Sequence, residues 1–225
     1  MTAEQDPGSP EAMPPPERNP IALQTTRMEA FSDGVFAIAI TLLVLEIKVP
    51  VDRGSDLLHA LIEQWPSYLA YFISFCTIGA VWMAHSAITD LLDRVDALLL
   101  RINLLLLLLV GLLPIPTALA AEYLKSTDGE RVAVTIYGLT LLAIRLVVLL
   151  LWKYASAEGL VRTDLDDAAL DEVTAKLTPS LGLYVVAIAV GLAAPSIAVV
   201  LYLAIALYII IPLRSILSAF RRTAP

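Results

Sequence analysis

Six times along this chain, a run of about twenty apolar residues stands between links that carry charge or proline, and that pattern leaves few folds open. An α-helix needs roughly 20 apolar residues to cross the hydrocarbon core of a bilayer. The windows fall at about 28–48, 66–88, 102–122, 132–153, 177–194 and 196–213. The last two form one stretch, "LTPSLGLYVVAIAVGLAAPSIAVVLYLAIALYIIIPLR", which is too long for one crossing. Ala194-Pro195-Ser196 marks a tight turn inside it, so the stretch reads as a helical hairpin. The pattern predicts an all-α membrane protein with six transmembrane helices per subunit. Hydrophobic residues make up 58% of the chain and mean hydropathy is +0.78, which argues against a water-soluble domain.

An even number of spans places both termini on one side, and the lysines and arginines choose that side. Arg18, Arg27, Arg94, Arg101, Lys153, Arg162, Lys176, Arg214, Arg221 and Arg222 fall at one end, against Lys48, Arg53, Lys125 and Arg131 at the other. Both termini are therefore expected in the cytoplasm. Residues 1–26 are rich in proline and acid and lack the basic start of a signal peptide, so they read as a disordered cytoplasmic tail. Residues 27–214 form the transmembrane domain and 215–225 a basic C-terminal tail. Within the loop "KYASAEGLVRTDLDDAALDEVTAK", Leu165, Leu170 and Val173 recur at helical spacing and predict a short surface helix.

Several function classes drop out. The formal net charge is −7 with the acids gathered in the tail and loops, which offers nucleic acid no basic face. Cys76 is the single cysteine, so neither an internal disulfide nor a cysteine metal cluster can form, and it reads as a small buried hydrophobe. No HExxH, no GxSxG and no facing pair of carboxylates supplies a metal, nucleophile or acid/base pair, so no enzyme and no cofactor are expected. A "TVGYG" filter loop and an arginine ladder for voltage sensing are also missing.

Polar residues nevertheless gather at one depth. With this topology the first and third spans leave the cytoplasmic side where the second returns to it. Arg27, Ser32 and Asp33 open the first span, Trp82 and His85 close the second, and Asn103 opens the third. A lone charge at the middle of a membrane helix costs roughly 2.5–3.5 kcal/mol, and less near the interface, so such groups normally have partners. Arg27, His85, Asn103 and the Trp82 indole can all donate to Ser32 and Asp33, which predicts one hydrogen-bonded cluster pinning three helices. The plainer alternative has Ser32 and Asp33 capping a helix, Trp82 in an interfacial belt and His85 in a loop. Arg145 lies inside "GLTLLAIRLVVLLLW", where it snorkels inward or pairs with an acid such as Asp33 in a structural role.

At 100° per residue with Asp33 at zero, Thr41, Leu45, Ile38 and Leu42 fall at about 80°, 120°, 140° and 180°. They form a stripe shared by Gly34, with Ser32 and Asp33 to one side. Periodicity leaves open whether that stripe meets lipid, another helix of the chain, or symmetry mates around an axis.

Arg27-x-x-x-Phe31-Ser32-Asp33, followed by Trp82-x-x-His85, Arg101-x-Asn103 and "LLPIPTALAAEY" around Pro114 and Pro116, resembles the prokaryotic members of the transmembrane protein 175 potassium-channel family over about 27–123. The resemblance implies six-helix subunits assembled as a homotetramer in the cell membrane, forming a potassium-permeable cation leak channel. It maps a hydrophobic constriction onto Ile38, with Leu42 and Leu45 one and two turns outward, and a polar layer onto Thr41. It makes Arg27, Phe31, Ser32, Asp33, Trp82, His85 and Asn103 a structural network rather than ion ligands. The implied partners are further copies of the chain, membrane lipid, and potassium and other monovalent cations, with no fixed metal ligands. A chain with one such motif and six spans needs copies of itself to close a pore. The rival expectation is a proton-coupled secondary transporter in which Asp33 and His85 relay the proton.

Overall fold

The apolar windows fold as helices, and α3, α5, α8 and α9 each begin with a proline at the first or second position, which removes a backbone donor from the helical ladder. A computed structural model describes residues 20–48, 57–125 and 129–211. Helix α1 spans Pro20–Leu42 and tightens into a 3-10 turn at Leu43–Glu46; α2 is Leu57–Glu63 and α3 Trp65–Thr89. Then come α4 (Ala97–Leu112), α5 (Pro114–Tyr123), α6 (Glu130–Ala157), α7 (Asp167–Leu177), α8 (Pro179–Ala193) and α9 (Pro195–Ile210). No strand occurs among the described residues, so the fold is all-helical as expected.

Not every proline turns the chain. Leu113 before Pro114 keeps φ −56 and ψ −33, and Thr178 before Pro179 keeps φ −70 and ψ −41, both right-handed helical values. Helices α4 and α5 therefore continue one another, as do α7 and α8. Ala194 before Pro195 instead takes φ −141 and ψ 79, which ends α8 and makes the expected hairpin with α9. The short surface helix expected around Leu165, Leu170 and Val173 is found only in part: α7 carries Leu170 and Val173, starts two residues after Leu165 behind the cap Asp166, which accepts from Ala169 N at 2.9 Å, and runs on into α8.

Among the described residues, five helical stretches are long and apolar enough to cross a membrane: Thr25–Glu46, Trp65–Thr89, Ala97–Tyr123, Glu130–Ala157 and Asp167–Ala193. Helix α9 is apolar but has 16 residues, a rise of about 24 Å against a hydrocarbon core of about 30 Å. The helix at the expected sixth span is thus shorter among the described residues than the window 196–213 and is not one of the five. At the other end α1 begins at Pro20, so residues 20–26, expected within the tail, are helical; proline suits a first helical turn and nothing between it and Arg27 breaks the helix. Residues 1–19 of the expected tail and the basic segment 215–225 lie outside the described residues.

Contacts define the two ends of the bundle. At one, the α3–α4 link pairs with the α6–α7 link: Leu92 bridges Val161, Asp93 N donates to Leu160 O at 2.9 Å, and Arg162 N to Leu91 O at 2.9 Å. Gly159, at φ 59, supplies the left-handed turn that ends α6, and Leu160 N closes back on Ala155 O at 2.9 Å. There the Tyr154 hydroxyl also donates to Asp96 Oδ2 and holds that carboxyl below the usual carboxylate range. At the opposite end Lys48 pairs with Glu122 at 3.4 Å, and the Ser196 hydroxyl donates to Glu130 Oε1 at 2.8 Å.

The core is built around α6, which buries Leu141, Ile144, Val148, Leu151, Trp152 and Ala155. Gly138 lets α8 and α9 approach it: a Cβ there would overlap the Tyr202 hydroxyl and lie 2.7 Å from its ring carbon. Tyr202 in turn stacks edge-on against Tyr137 with ring centroids 5.7 Å apart. Cys76 is free and buried.

Candidate functional site

Helix α1 has two unlike sides. Met28, Ser32, Phe36 and Ala39, spaced by three and four residues, are buried toward α3 and α4, and Leu43, which opens the following 3-10 turn, continues that buried side. The other side carries the stripe marked out by the helical wheel, and no described part of the chain covers it. Ile38 is 60% exposed, Leu42 42% and Leu45 70%, with Thr41 exposed between them. Gly34, on the same side, has nothing within 4 Å of where a Cβ would stand. The Thr41 hydroxyl donates to Ile38 O at 2.9 Å, so its hydrogen is turned into the helix while its oxygen lone pairs stay outward.

The polar residues expected as one cluster form two neighbouring groups. The buried group is a directed chain. His85 Nε2 lies 2.8 Å from Asn103 Oδ1, an atom that only accepts, so Nε2 carries the hydrogen. Asn103 Nδ2 donates to Ser32 Oγ at 2.9 Å, and Ser32 donates to Met28 O at 2.8 Å. All three side chains are buried, and the Phe36 ring stands 5.4 Å from the imidazole. Away from water each missing bond would carry a full desolvation cost, so this chain fixes the register of α1, α3 and α4.

The second group lies at the bundle surface, where Trp82 Nε1 donates to Asp33 Oδ1 at 2.8 Å. Asp33 and His85 share no hydrogen bond, so the two residues of the rival proton relay hold different partners. Arg27 is exposed on α1 with no hydrogen bond or ion pair among the described residues. Phe31 is exposed as well, on the same side as Ile38.

Arg145 does not reach Asp33. Its Nε donates to Ser180 Oγ at 2.6 Å and its Nη2 to Leu177 O at 3.5 Å, and Ser180 donates to the same carbonyl at 2.9 Å. The guanidinium therefore sits at the joint between α7 and α8, where Pro179 lacks the N–H that continues the helical ladder. Sequence reading also missed a buried hydroxyl group: Ser74 lies 2.7 Å from Thr117 Oγ1 and 2.8 Å from Tyr137 Oη, with Thr117 donating to Leu113 O at 2.8 Å beside Pro114. Thr117, three residues beyond the proline, was the signal available for it. No group of His, Cys, Asp and Glu able to hold a metal ion occurs among the described residues.

Residues 27–114 match the family model described as endosomal/lysosomal potassium channel TMEM175. A potassium channel of Streptomyces collinus is 45% identical over 156 residues, covering 69% of this chain and 74% of that protein. One from Chamaesiphon minutus is 46% identical over 172 residues, covering 75% and 84%. The crystal structure of a lysosomal potassium-selective channel TMEM175 homolog from Chamaesiphon minutus superposes with a TM-score of 0.76 at 40% identity, covering 90% of this chain and all of that one.

Proposed function

Because this chain belongs to the TMEM175 potassium-channel family, we propose that it conducts potassium across the cell membrane along a path lined by the exposed stripe of α1 from several copies. The observation that carries this reading is the uncovered row of Ile38, Leu42 and Leu45 on a helix whose opposite face is locked to α3 and α4. One chain offers one such row, and a closed conduit needs symmetry mates. The subunit is a six-span protein with α9 as the short last span, both termini face the cytoplasm, and four copies surround the axis. Arg94, Arg101, Lys153 and Arg162 at the end tied by Leu92 and Val161, against Lys48, Lys125 and Arg131 at the other, support that orientation.

A ring of Ile38 side chains offers an ion no ligands, so an ion passing it sheds part of its water with little in return. Potassium gives up hydration more readily than sodium, which makes the preference for potassium real but modest. The same apolar ring can dewet and close the path. Thr41 adds hydroxyl oxygens one turn away, and Gly34 leaves the inner approach wide. The buried chain His85–Asn103–Ser32 and the Trp82–Asp33 bond hold α1 in place and take no part in ion coordination.

Reconstitution of the purified full chain in a planar bilayer tests the reading. Discrete current steps, with a reversal potential displaced toward the potassium equilibrium potential in a potassium/sodium gradient, are the expected result. Saturating flux without unitary steps, dependent on a proton gradient, would transfer the chain to the transporter class.

A further inference from the structure

Helix α2 has an apolar face that no described part of the chain covers. Counted at 100° per residue from Leu57, Leu61 falls at about 40°, Leu58 at about 100° and Ile62 at about 140°. All four side chains are exposed, Leu58 at 71% and Ile62 at 61%. His59 and Glu63 fall at about 200° and 240° and pair at 3.2 Å on the polar side, while Ala60 alone is buried against the bundle.

We propose that α2 is an interfacial anchor whose Leu57, Leu58, Leu61 and Ile62 bed into the acyl boundary of the leaflet at the Lys48–Glu122 end. Length excludes α2 from the membrane core. The 25 residues of α3 rise about 37 Å, enough for the core of about 30 Å, and a straight continuation through α2 would reach about 50 Å. Pro66 removes the donor for Ile62 O, which weakens the joint between the two helices at Gln64.

Two further contacts fix the depth. Lys125 Nζ donates to Glu63 O, capping the carbonyl end of α2, and stands 5.9 Å from the centre of the Trp65 ring. An ammonium beside a half-exposed indole marks the headgroup level, where tryptophan and lysine both concentrate. The apolar arc is also continuous with the exposed row Trp65, Tyr68, Phe72 and Phe75 of α3, a membrane-spanning helix. A short helix with one apolar and one polar side, joined to such a row at headgroup depth, fits lipid as its occupant.

The test reads lipid contact directly and is independent of conduction. In a Cys76→Ala background, Leu58→Cys, Ile62→Cys and His59→Cys are spin-labelled one at a time in the reconstituted full chain, in phosphatidylcholine/phosphatidylglycerol vesicles. Collision rates with oxygen and with a water-soluble nickel chelate are then compared. The anchor predicts a ratio of oxygen to nickel accessibility several-fold higher at 58 and 62 than at 59. Equal nickel accessibility at all three positions would overturn it. So would labels at 58 and 62 that are immobile and shielded from both reagents, which would assign the arc to a second copy of the chain.

Discussion

Trp82 donates its indole N–H to Asp33 Oδ1 at 2.8 Å on the exposed margin of the bundle, one turn of α3 away from the buried His85. The bond ties α1 to α3 outside the apolar interior, and the adjacent Ser32 ties α1 to α4 within it. Adjacent residues of one helix thus anchor it to two neighbours, and the side of α1 facing away from both is left free.

This arrangement predicts which pairs couple. In denaturant unfolding of the full chain in mixed micelles, Trp82→Phe and Asp33→Ala should show a coupling energy of about 0.5–1.5 kcal/mol, the net worth of one hydrogen bond. Asp33→Ala with His85→Ala should be additive within about 0.5 kcal/mol, since the two side chains share no bond. Equal coupling in both cycles would mean a single merged network.

The buried chain should be more sensitive than the surface bond. Asn103→Leu strands the His85 Nε2 hydrogen and one acceptor site of Ser32 in an apolar interior, at about 2–4 kcal/mol for the two groups. Ser32→Ala should cost less, because Asn103 loses one of its two partners and the Met28 carbonyl keeps its helical bond. Unfolding midpoints of the two variants check that order.

Close packing at Gly138 gives a steric prediction. Gly138→Ala should destabilise by about 1–3 kcal/mol, because the Tyr202 hydroxyl occupies the space of the new methyl group. Tyr202→Phe in the same chain should recover part of that loss, although the ring carbon at 2.7 Å keeps the recovery incomplete. No recovery would locate the strain against Ile188 instead.

Asp96 contributes a pH dependence to stability. Its carboxyl is held low chiefly by the Tyr154 hydroxyl, so the bond contributes stability at pH above the ordinary aspartate pKa of about 3.9 and loses it as pH falls through the lower folded value. Tyr154→Phe should therefore unfold at a lower temperature than wild type at pH 5–8, with the difference shrinking below about pH 4. A difference that persisted at low pH would rule out the ionised carboxylate as its source.

Much of this was legible in the sequence because a membrane reduces the folding problem to depth. Apolar length located five membrane-length helices and the shorter α9, Pro195 located the hairpin, and Leu170 and Val173 located α7. Depth also brought Ser32, Asp33, Trp82, His85 and Asn103 to one level. Azimuth was harder to read: Trp82 and His85, three residues apart on α3, point to different partners, and depth alone merges them. Arg145 shows the same limit, since its partner Ser180 stands 35 residues away, next to a proline within a continuous helical stretch, where hydropathy registers no break. Ser74, Thr117 and Tyr137 went unread because an isolated hydroxyl in an apolar run looks the same whether it meets a neighbour or its own backbone.

The central claim is that Ile38 narrows an ion path at an axis shared by several copies. Reversal potentials of the reconstituted chain in opposed potassium and sodium solutions, measured for wild type and for Ile38→Asn, test it most directly. The account predicts that the polar side chain lowers the preference for potassium over sodium and raises conductance. Currents and reversal potentials unchanged by Ile38→Asn would contradict it.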